Sequence, residues 1–154
     1  MEPEGVPIYC SRRKGRSSDM NQEFDEKSRR DMISYRLEKS HETLKEADYL
    51  IAGGYYSTAV SRLYYACYYA VAALMIKNHI IAQTHAGIKS MLSLHFVRSG
   101  KINIQLAKDF FRLFDLRHNN DYDDFTFCDE ATINDLRPRS ETFINAIENL
   151  IKTD

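Results

Sequence analysis

The sequence predicts an all-α protein: a five-helix up-and-down bundle preceded by an N-terminal tail. Three observations support this fold class. The 154 residues are enough for one domain with a buried core. Glycine and proline are scarce, at 6 and 3, so turns are few and the elements between them are long. Apolar residues recur three and four positions apart, which is the spacing of one helix face.

Residues 1–27 form the predicted tail, and residues 28–154 form the predicted helical domain. The tail holds two of the three prolines, a basic run and no hydrophobic period. The basic residues are Arg12, Arg13, Lys14 and Arg16. A segment without apolar periodicity contributes little core, so we predict a flexible tail, or a non-native or misassigned start upstream of Met20 or Met32. A basic arm for RNA binding or targeting is the alternative.

The first helix is predicted over residues 26–52, because apolar residues form a stripe at helical spacing. They are Leu37, Leu44, Ala47, Leu50 and Ile51. Gly53 and Gly54 follow. They end the helix, since glycine adopts the left-handed cap conformation at little cost.

The second helix is predicted from Tyr55 or Tyr56 to about Asn78. Its apolar residues cover nearly every face, which is typical of a central helix packed by its neighbours or by a second subunit. Because a five-helix monomer does not readily cover all these faces, we predict a homodimer. Two tyrosine pairs of this helix are expected in core or dimer contacts, with stacking on nucleic-acid bases as the alternative. They are Tyr64-Tyr65 and Tyr68-Tyr69.

Capping residues mark the third and fourth helices. Thr84 begins the third, which runs to about Val97 and is ended by Gly100. Asn103 begins the fourth, whose apolar residues are expected to face the core.

The fifth helix is predicted to start at Asp129 or Thr132 and to run to about Lys152. Pro138 lies inside this pattern. Because proline lacks the backbone N–H that an interior helical position uses, it predicts either a kink or a restart of the helix near Pro138.

Charge and cysteine usage exclude several classes of protein. The net charge of −1 gives no overall attraction to nucleic acid or an anionic membrane, so a nucleic-acid site must be a local patch. The longest uncharged stretch, residues 63–76, is shorter than the roughly 20 residues that span a bilayer, and we expect no membrane contact. Three separated cysteines without a CxxC pair predict neither disulfides nor zinc and favour the cytoplasm. They are Cys10, Cys67 and Cys128.

Three segments stand out by their order and spacing. Residues 59–75 read AVSRLYYACYYAVAALM, with small residues, an arginine and aromatic pairs. Thr84-His85 is followed by Gly87, a Thr-His-x-Gly helix start. Residues 116–122 read LRHNNDY, an Arg-x-x-x-Asp-Tyr helix end. Together they resemble the HEPN superfamily, specifically its small stand-alone prokaryotic branch, over nearly the whole predicted domain.

This resemblance implies a five-helix fold that is usually a dimer, with no cofactor or metal. Many HEPN proteins are metal-independent ribonucleases, often toxins held in check by a nucleotidyltransferase-type antitoxin. Their active motif is an arginine, a polar residue, a short spacer and a catalytic histidine. Arg117 matches the arginine and His118 the polar residue, while Tyr122 stands where the later histidine is expected. Histidine transfers protons near neutral pH, whereas tyrosine has an ordinary pKa of about 10, so this departure bears on catalysis.

Two functions follow from this motif. The first is a HEPN module of toxin–antitoxin type that lacks the usual catalytic histidine and binds a nucleotide, RNA or a partner through the Arg117 region. The second is a metal-independent toxin endoribonuclease that uses Arg117 with His118 or Tyr122. The structural interpretation is an exposed ion pair between Arg117 and Asp121, which share a helix face, with Tyr122 in the core. A helical subunit without a ligand is a third alternative.

Other polar residues are assigned mainly structural roles. Arg62 is the sole charge inside the aromatic second helix, and we expect Asp121 or Asp123 to bind it. His85 is expected to form hydrogen bonds at the start of the third helix. Asp121, Asp123 and Asp124 are expected in a solvated loop rather than in a metal site.

Overall fold

The computed structural model describes the backbone of residues 19–122 and 128–153 and the side chains of residues 25–119 and 128–153. Within these residues every regular element is a helix, which confirms the all-α fold and its five helices. They are α1 (Asp19–Ala52), α2 (Tyr56–Lys77), α3 (His85–Leu92), α4 (Ile104–Tyr122) and α5 (Glu130–Lys152). A π-helical turn, Ser93–Val97, continues α3.

α1 begins at Asp19, earlier than the sequence predicted. The proposed boundary between tail and domain, at residues 27 and 28, therefore falls inside a helix. Residues 1–18 lie outside the described part of the chain, so the flexible tail stays a prediction. The other end of α1 is as expected: Gly54 has a φ of 80°, and the Tyr55 N–H donates to the Leu50 carbonyl over 2.9 Å.

α2 is the central helix, as its apolar composition predicts. Every residue from Ala70 to Ile76 is buried. The Ser40 hydroxyl of α1 donates to the Ala66 carbonyl over 2.6 Å, so these two helices approach closely where the α2 residue is small. The helices of one chain thus cover α2, contrary to our expectation that a second subunit is needed. The homodimer stays a prediction, but incomplete coverage of α2 no longer supports it.

In the described chain, α2 is the one helix long and apolar enough to cross a membrane. However, 78% of its most apolar window is buried among the other helices. A core helix has this pattern, so its hydropathy reflects packing.

Predicted capping residues begin α3, α4 and α5, and of the two residues predicted to start α5 the cap is Asp129. Each side-chain oxygen accepts a hydrogen bond from a backbone N–H two or three residues later, which satisfies a donor that the first helical turn leaves unpaired. The pairs are Thr84 with Gly87 (2.9 Å), Asn103 with Gln105 (2.7 Å) and Asp129 with Thr132 (2.8 Å).

α5 continues through Pro138 from Glu130 to Lys152. Of the two predicted outcomes, the restart at Pro138 is therefore wrong. The helix is held on both sides of the proline by buried residues, Leu136 and Phe143 among them, so packing against the core outweighs the lost hydrogen bond.

Candidate functional site

Tyr64 of α2 is the centre of an aromatic cluster between α2, α3 and α4. The residue is fully buried. Its ring centroid lies 5.8 Å from that of Phe110, with the rings nearly parallel, and 5.9 Å from that of Phe114. Tyr68, one turn along α2, is also buried, and Tyr65 is half-buried. Tyr64 and Tyr68 are therefore core residues, while Tyr65 also faces solvent.

Arg117 of α4 packs against these tyrosines. Only 7% of the residue is exposed. Its Cζ lies 5.7 Å from the centroid of the Tyr64 ring and 5.1 Å from that of Tyr65. A guanidinium over an aromatic face is stabilised by about 0.5–2 kcal/mol, because the ring face is electronegative. The exposed position that the structural interpretation required is therefore wrong.

His85 reaches the same tyrosines from the first residue of α3. Its Nδ1 is hydrogen-bonded to the Tyr64 hydroxyl. Its ring stacks on Tyr68, with centroids 4.7 Å apart, and lies 6.2 Å from the ring of Tyr65. His85 and Arg117 are thus brought to one group of rings by different helices.

The helix start around His85 explains the Thr-His-x-Gly pattern. Thr84 caps α3 by accepting the Gly87 N–H. A Cβ at Gly87 would lie 3.0 Å from the Thr84 Oγ1, which is tighter than ordinary packing. The threonine therefore fixes the direction of the first turn, the glycine leaves room for the cap, and together they direct His85 toward α2.

Burial keeps two hydroxyls of the cluster protonated. It raises the pKa of Tyr64 far above the ordinary value of 10; Tyr68 adds to this effect and Arg117 opposes it. Burial also raises the pKa of Tyr68 to about 12, opposed by Arg36. Tyr64 is therefore a neutral hydroxyl near pH 7, and a neutral hydroxyl can donate or accept a hydrogen bond. In the tautomer of a neutral His85 that donates its Nδ1–H to this hydroxyl, the lone pair is on Nε2.

Further cations lie beside these rings. The Cζ of Arg62 is 5.2 Å from the centroid of Tyr65, and the Nζ of Lys89 is 4.8 Å from that of Phe111. Cations therefore lie beside aromatic rings here, on a chain whose net charge is −1, and one of them, Arg62, also contacts the Glu46 carboxylate over 3.4 Å. We define the tyrosine–arginine cluster as the five residues Tyr64, Tyr65, Tyr68, His85 and Arg117.

Comparison with known proteins identifies the family. The sequence model of the HEPN domain family matches residues 33–150 of this chain. The chain belongs to the HEPN domain family. It is 32% identical over 121 residues to a UPF0332 protein of Thermotoga maritima, covering 79% of this chain and 92% of that one.

Two relatives of this HEPN chain in Methanocaldococcus jannaschii are named toxins. "Putative toxin MJ0605" is 28% identical over 123 residues, which cover 80% of this chain and 91% of the relative. "Putative toxin MJ0142" is 29% identical over 87 residues, which cover 56% of this chain and 59% of the relative.

Not every residue of the HEPN motif is shown to pack against α2 as Arg117 does. His118 is exposed, and consecutive helical residues point about 100° apart, so it does not face α2 with Arg117. Asp121 and Tyr122 belong to the end of α4, but their side chains lie outside the described residues. The pairing of Arg117 with Asp121, the core position of Tyr122 and a function for Tyr122 stay predictions.

Arg62 contacts an acidic residue that the sequence analysis did not name, and its expected contact with Asp121 or Asp123 stays a prediction. Its Nη1 lies 3.4 Å from the Glu46 Oε2 of α1, and both side chains are well exposed. Asp123 lies outside the described residues, as does the side chain of Asp121. The described partner of Arg62 is therefore a surface carboxylate, and its guanidinium also packs on Tyr65.

Among the described residues, no group of three or more histidine, cysteine or acidic side chains is arranged to hold a metal ion. The acidic residues Asp123 and Asp124 fall outside the described chain, so the solvated loop there stays a prediction.

Sequence reasoning did not place His85 beside Arg117. It assigned His85 a hydrogen-bonding role at a helix start, which the structure confirms, but the bond is to Tyr64 of another helix. The available signal was the coincidence of three separate motifs on one chain: the tyrosine string, the Thr-His-x-Gly start and the arginine near the end of α4. Only their packing shows that they contribute to one cluster of side chains.

Proposed function

We propose that this HEPN domain is a toxin-type protein that binds RNA phosphodiesters through Arg117, and that a nucleotidyltransferase-type antitoxin restrains it. The observation that carries the proposal is the burial of Arg117 against Tyr64 and Tyr65. The names of the two archaeal relatives support the toxin class.

Arginine suits this task because its planar guanidinium can contact two phosphate oxygens at once and stays charged at any physiological pH. Packing on two rings limits the orientations of the guanidinium, so less entropy is lost when a phosphate binds. A charge in a partly desolvated position also interacts more strongly with an anion than one in bulk water. Arg117 combines these properties.

The surroundings of Arg117 fit a single-stranded nucleic acid. The half-buried ring of Tyr65 provides an aromatic surface for a base, and Arg62 adds a second cation beside the same ring. Proteins that bind single strands commonly combine stacking rings with cations along the backbone. Because the net charge of the chain is −1, nucleic-acid binding requires a local group of cations, and Arg117 and Arg62 beside Tyr65 provide one.

Inducible expression in a bacterial host tests this function, with growth and RNA integrity followed together. We expect wild-type protein to slow growth and Arg117→Ala to abolish this effect while remaining folded. Arg112→Ala is the matched control, since Arg112 lies on the same helix but is half exposed and paired with Asp135 over 3.1 Å. Equal growth with wild type and Arg117→Ala would contradict the proposal, as would equal loss in both variants.

A ribonuclease that uses Arg117 with His118 or Tyr122 is the second candidate. The exposure of His118 favours it, because an exposed imidazole beside the arginine is accessible to RNA. At least one of the variants His118→Ala and Tyr122→Phe should then preserve host RNA that the wild type degrades. RNA degraded equally by both variants would remove this candidate.

A further inference from the structure

We propose that His85 is the residue that transfers the proton when RNA bound at Arg117 is cleaved. The inference rests on the proposed function, since it requires a phosphodiester at Arg117. It assigns the acid–base group to the start of α3, in place of the later motif histidine, whose position Tyr122 occupies.

The geometry that supports this assignment is the shared contact with Tyr64. The Tyr64 hydroxyl bonds to the His85 Nδ1, and the Arg117 guanidinium lies over the Tyr64 ring. One tyrosine therefore fixes both an imidazole and a cation. The stacking of His85 on Tyr68 limits rotation of the imidazole further. When His85 donates its Nδ1–H to the Tyr64 hydroxyl, Nε2 carries the lone pair, and this nitrogen is assigned to proton transfer.

The step is balanced without a metal or redox partner. His85 Nε2 accepts the proton of an RNA 2′-hydroxyl, and O2′ forms a bond to the adjacent phosphorus while the bond from phosphorus to O5′ breaks. O5′ leaves on the opposite side of phosphorus and takes up a proton from water, and the imidazolium returns its proton to solvent, so His85 is neutral again. The products are a 2′,3′-cyclic phosphate and a 5′-hydroxyl. Arg117 stabilises the charge that builds on the phosphate oxygens.

The titratable and charged groups around His85 come from three helices. α2 contributes the hydroxyls of Tyr64, Tyr65 and Tyr68, and burial keeps those of Tyr64 and Tyr68 neutral. α4 contributes Arg117, which shares the Tyr64 and Tyr65 rings with His85. Within α3, Lys89 lies one turn on, with its Nζ over the Phe111 ring.

The test uses the full chain, a single-stranded oligoribonucleotide and EDTA, with product ends identified by mass. We expect His85→Gln to slow cleavage by about 100-fold or more, which is the usual contribution of a general acid or base. Between pH 5 and 8 the wild-type rate should rise as an imidazole loses its proton, and this rise should be absent from the variant. Binding of a 2′-O-methyl oligonucleotide, which lacks the reacting hydroxyl, should be unchanged.

His95→Gln is the matched control, because His95 is exposed on the π-helical turn after α3. It should cleave at the wild-type rate. Tyr64→Phe keeps the ring but removes the hydroxyl that holds His85, and it should lower the rate without loss of 2′-O-methyl RNA binding. This second variant tests the inference even if His85→Gln does not fold.

The outcomes separate the two proposals. Binding of 2′-O-methyl RNA that depends on Arg117, without any cleavage by the wild type, would overturn the role of His85 and leave the proposed function standing. Cleavage by His85→Gln or Tyr64→Phe at the wild-type rate and with its pH profile would also overturn it. Binding unaffected by Arg117→Ala would overturn the proposed function itself.

Discussion

Arg117 is expected to contribute both to the stability of the fold and to the proposed binding of RNA. Its aliphatic stem is buried in the bundle, and its guanidinium lies within 6 Å of two ring centroids. Such a residue contributes packing as well as charge, so its removal affects the fold even where no ligand is present.

Arg117→Ala is expected to lower the free energy of unfolding by about 1–3 kcal/mol, because it removes the contacts with both rings and leaves a gap between α2 and α4. Arg112→Ala should cost less than about 1 kcal/mol, since it breaks only a surface ion pair. Urea denaturation measures both values. Equal costs would mean that the tyrosine contacts contribute no stability.

The buried tyrosines predict a loss of stability at alkaline pH. Their folded pKa values lie above the unfolded value, so the stability they confer is complete below about pH 10. It is lost as the pH rises toward the folded pKa of Tyr68, which is about 12. Thermal melts followed by circular dichroism should therefore show a melting temperature that falls between these pH values.

Tyr68→Phe should make that fall shallower, because it removes one buried hydroxyl. Tyr55→Phe is the control, since Tyr55 is 66% exposed. A fall of equal steepness in wild type and Tyr68→Phe would show that Tyr68 does not ionise during alkaline unfolding.

At the scale of an element, the start of α3 decides where His85 lies. Thr84→Ala removes the side-chain cap and should lower the free energy of unfolding by about 0.5–2 kcal/mol. Thr142→Ala, in the exposed interior of α5, should change it by less than about 0.5 kcal/mol. Because the cap also directs His85, Thr84→Ala should weaken the tyrosine–arginine cluster, seen as a change in near-ultraviolet circular dichroism. An unchanged spectrum would contradict this link.

The helices were predictable where local chemistry determines them. Thr84, Asn103 and Asp129 cap their helices within three residues, and Gly54 ends α1 with a positive φ, so sequence alone predicts these boundaries. The continuation of α5 through Pro138 was not predictable, because it depends on packing against other helices.

The candidate site was only half predictable for the same reason. Arg117 stood out by motif, whereas its burial against Tyr64 and Tyr65 depends on how α4 crosses α2. His85 is 32 residues away in sequence, and both residues contact the ring of Tyr64. The contact of Arg62 with Glu46 of α1 was not predicted either. Contacts between side chains of different helices leave no periodic pattern in the sequence, so they could not be predicted from it.

At the scale of the whole molecule, the core is complete within one chain, so a dimer must use other apolar surface. Tyr35 and Tyr49 are exposed by 58% and 82%, and they lie about four turns apart on the same side of α1. We predict that light scattering at micromolar concentration gives a dimer mass and that Tyr49→Glu gives a monomer. Ile104→Glu, an exposed site at the start of α4, should remain dimeric. A monomer mass for the wild type would contradict the homodimer.

The salt dependence of RNA binding tests most directly the central claim that Arg117 binds a phosphate. Each cation that contacts a phosphate releases counterions, and this makes the affinity fall more steeply with salt concentration. The affinity of the full chain for a 2′-O-methyl oligonucleotide is measured by fluorescence anisotropy over a series of salt concentrations, for wild type, Arg117→Ala and Arg112→Ala. If Arg117 contacts one phosphate, its removal should weaken binding and reduce the slope of log affinity against log salt by about 0.7–1. Arg112→Ala should leave both unchanged. An Arg117→Ala variant that is folded and has the wild-type affinity and slope would show that Arg117 serves the fold alone.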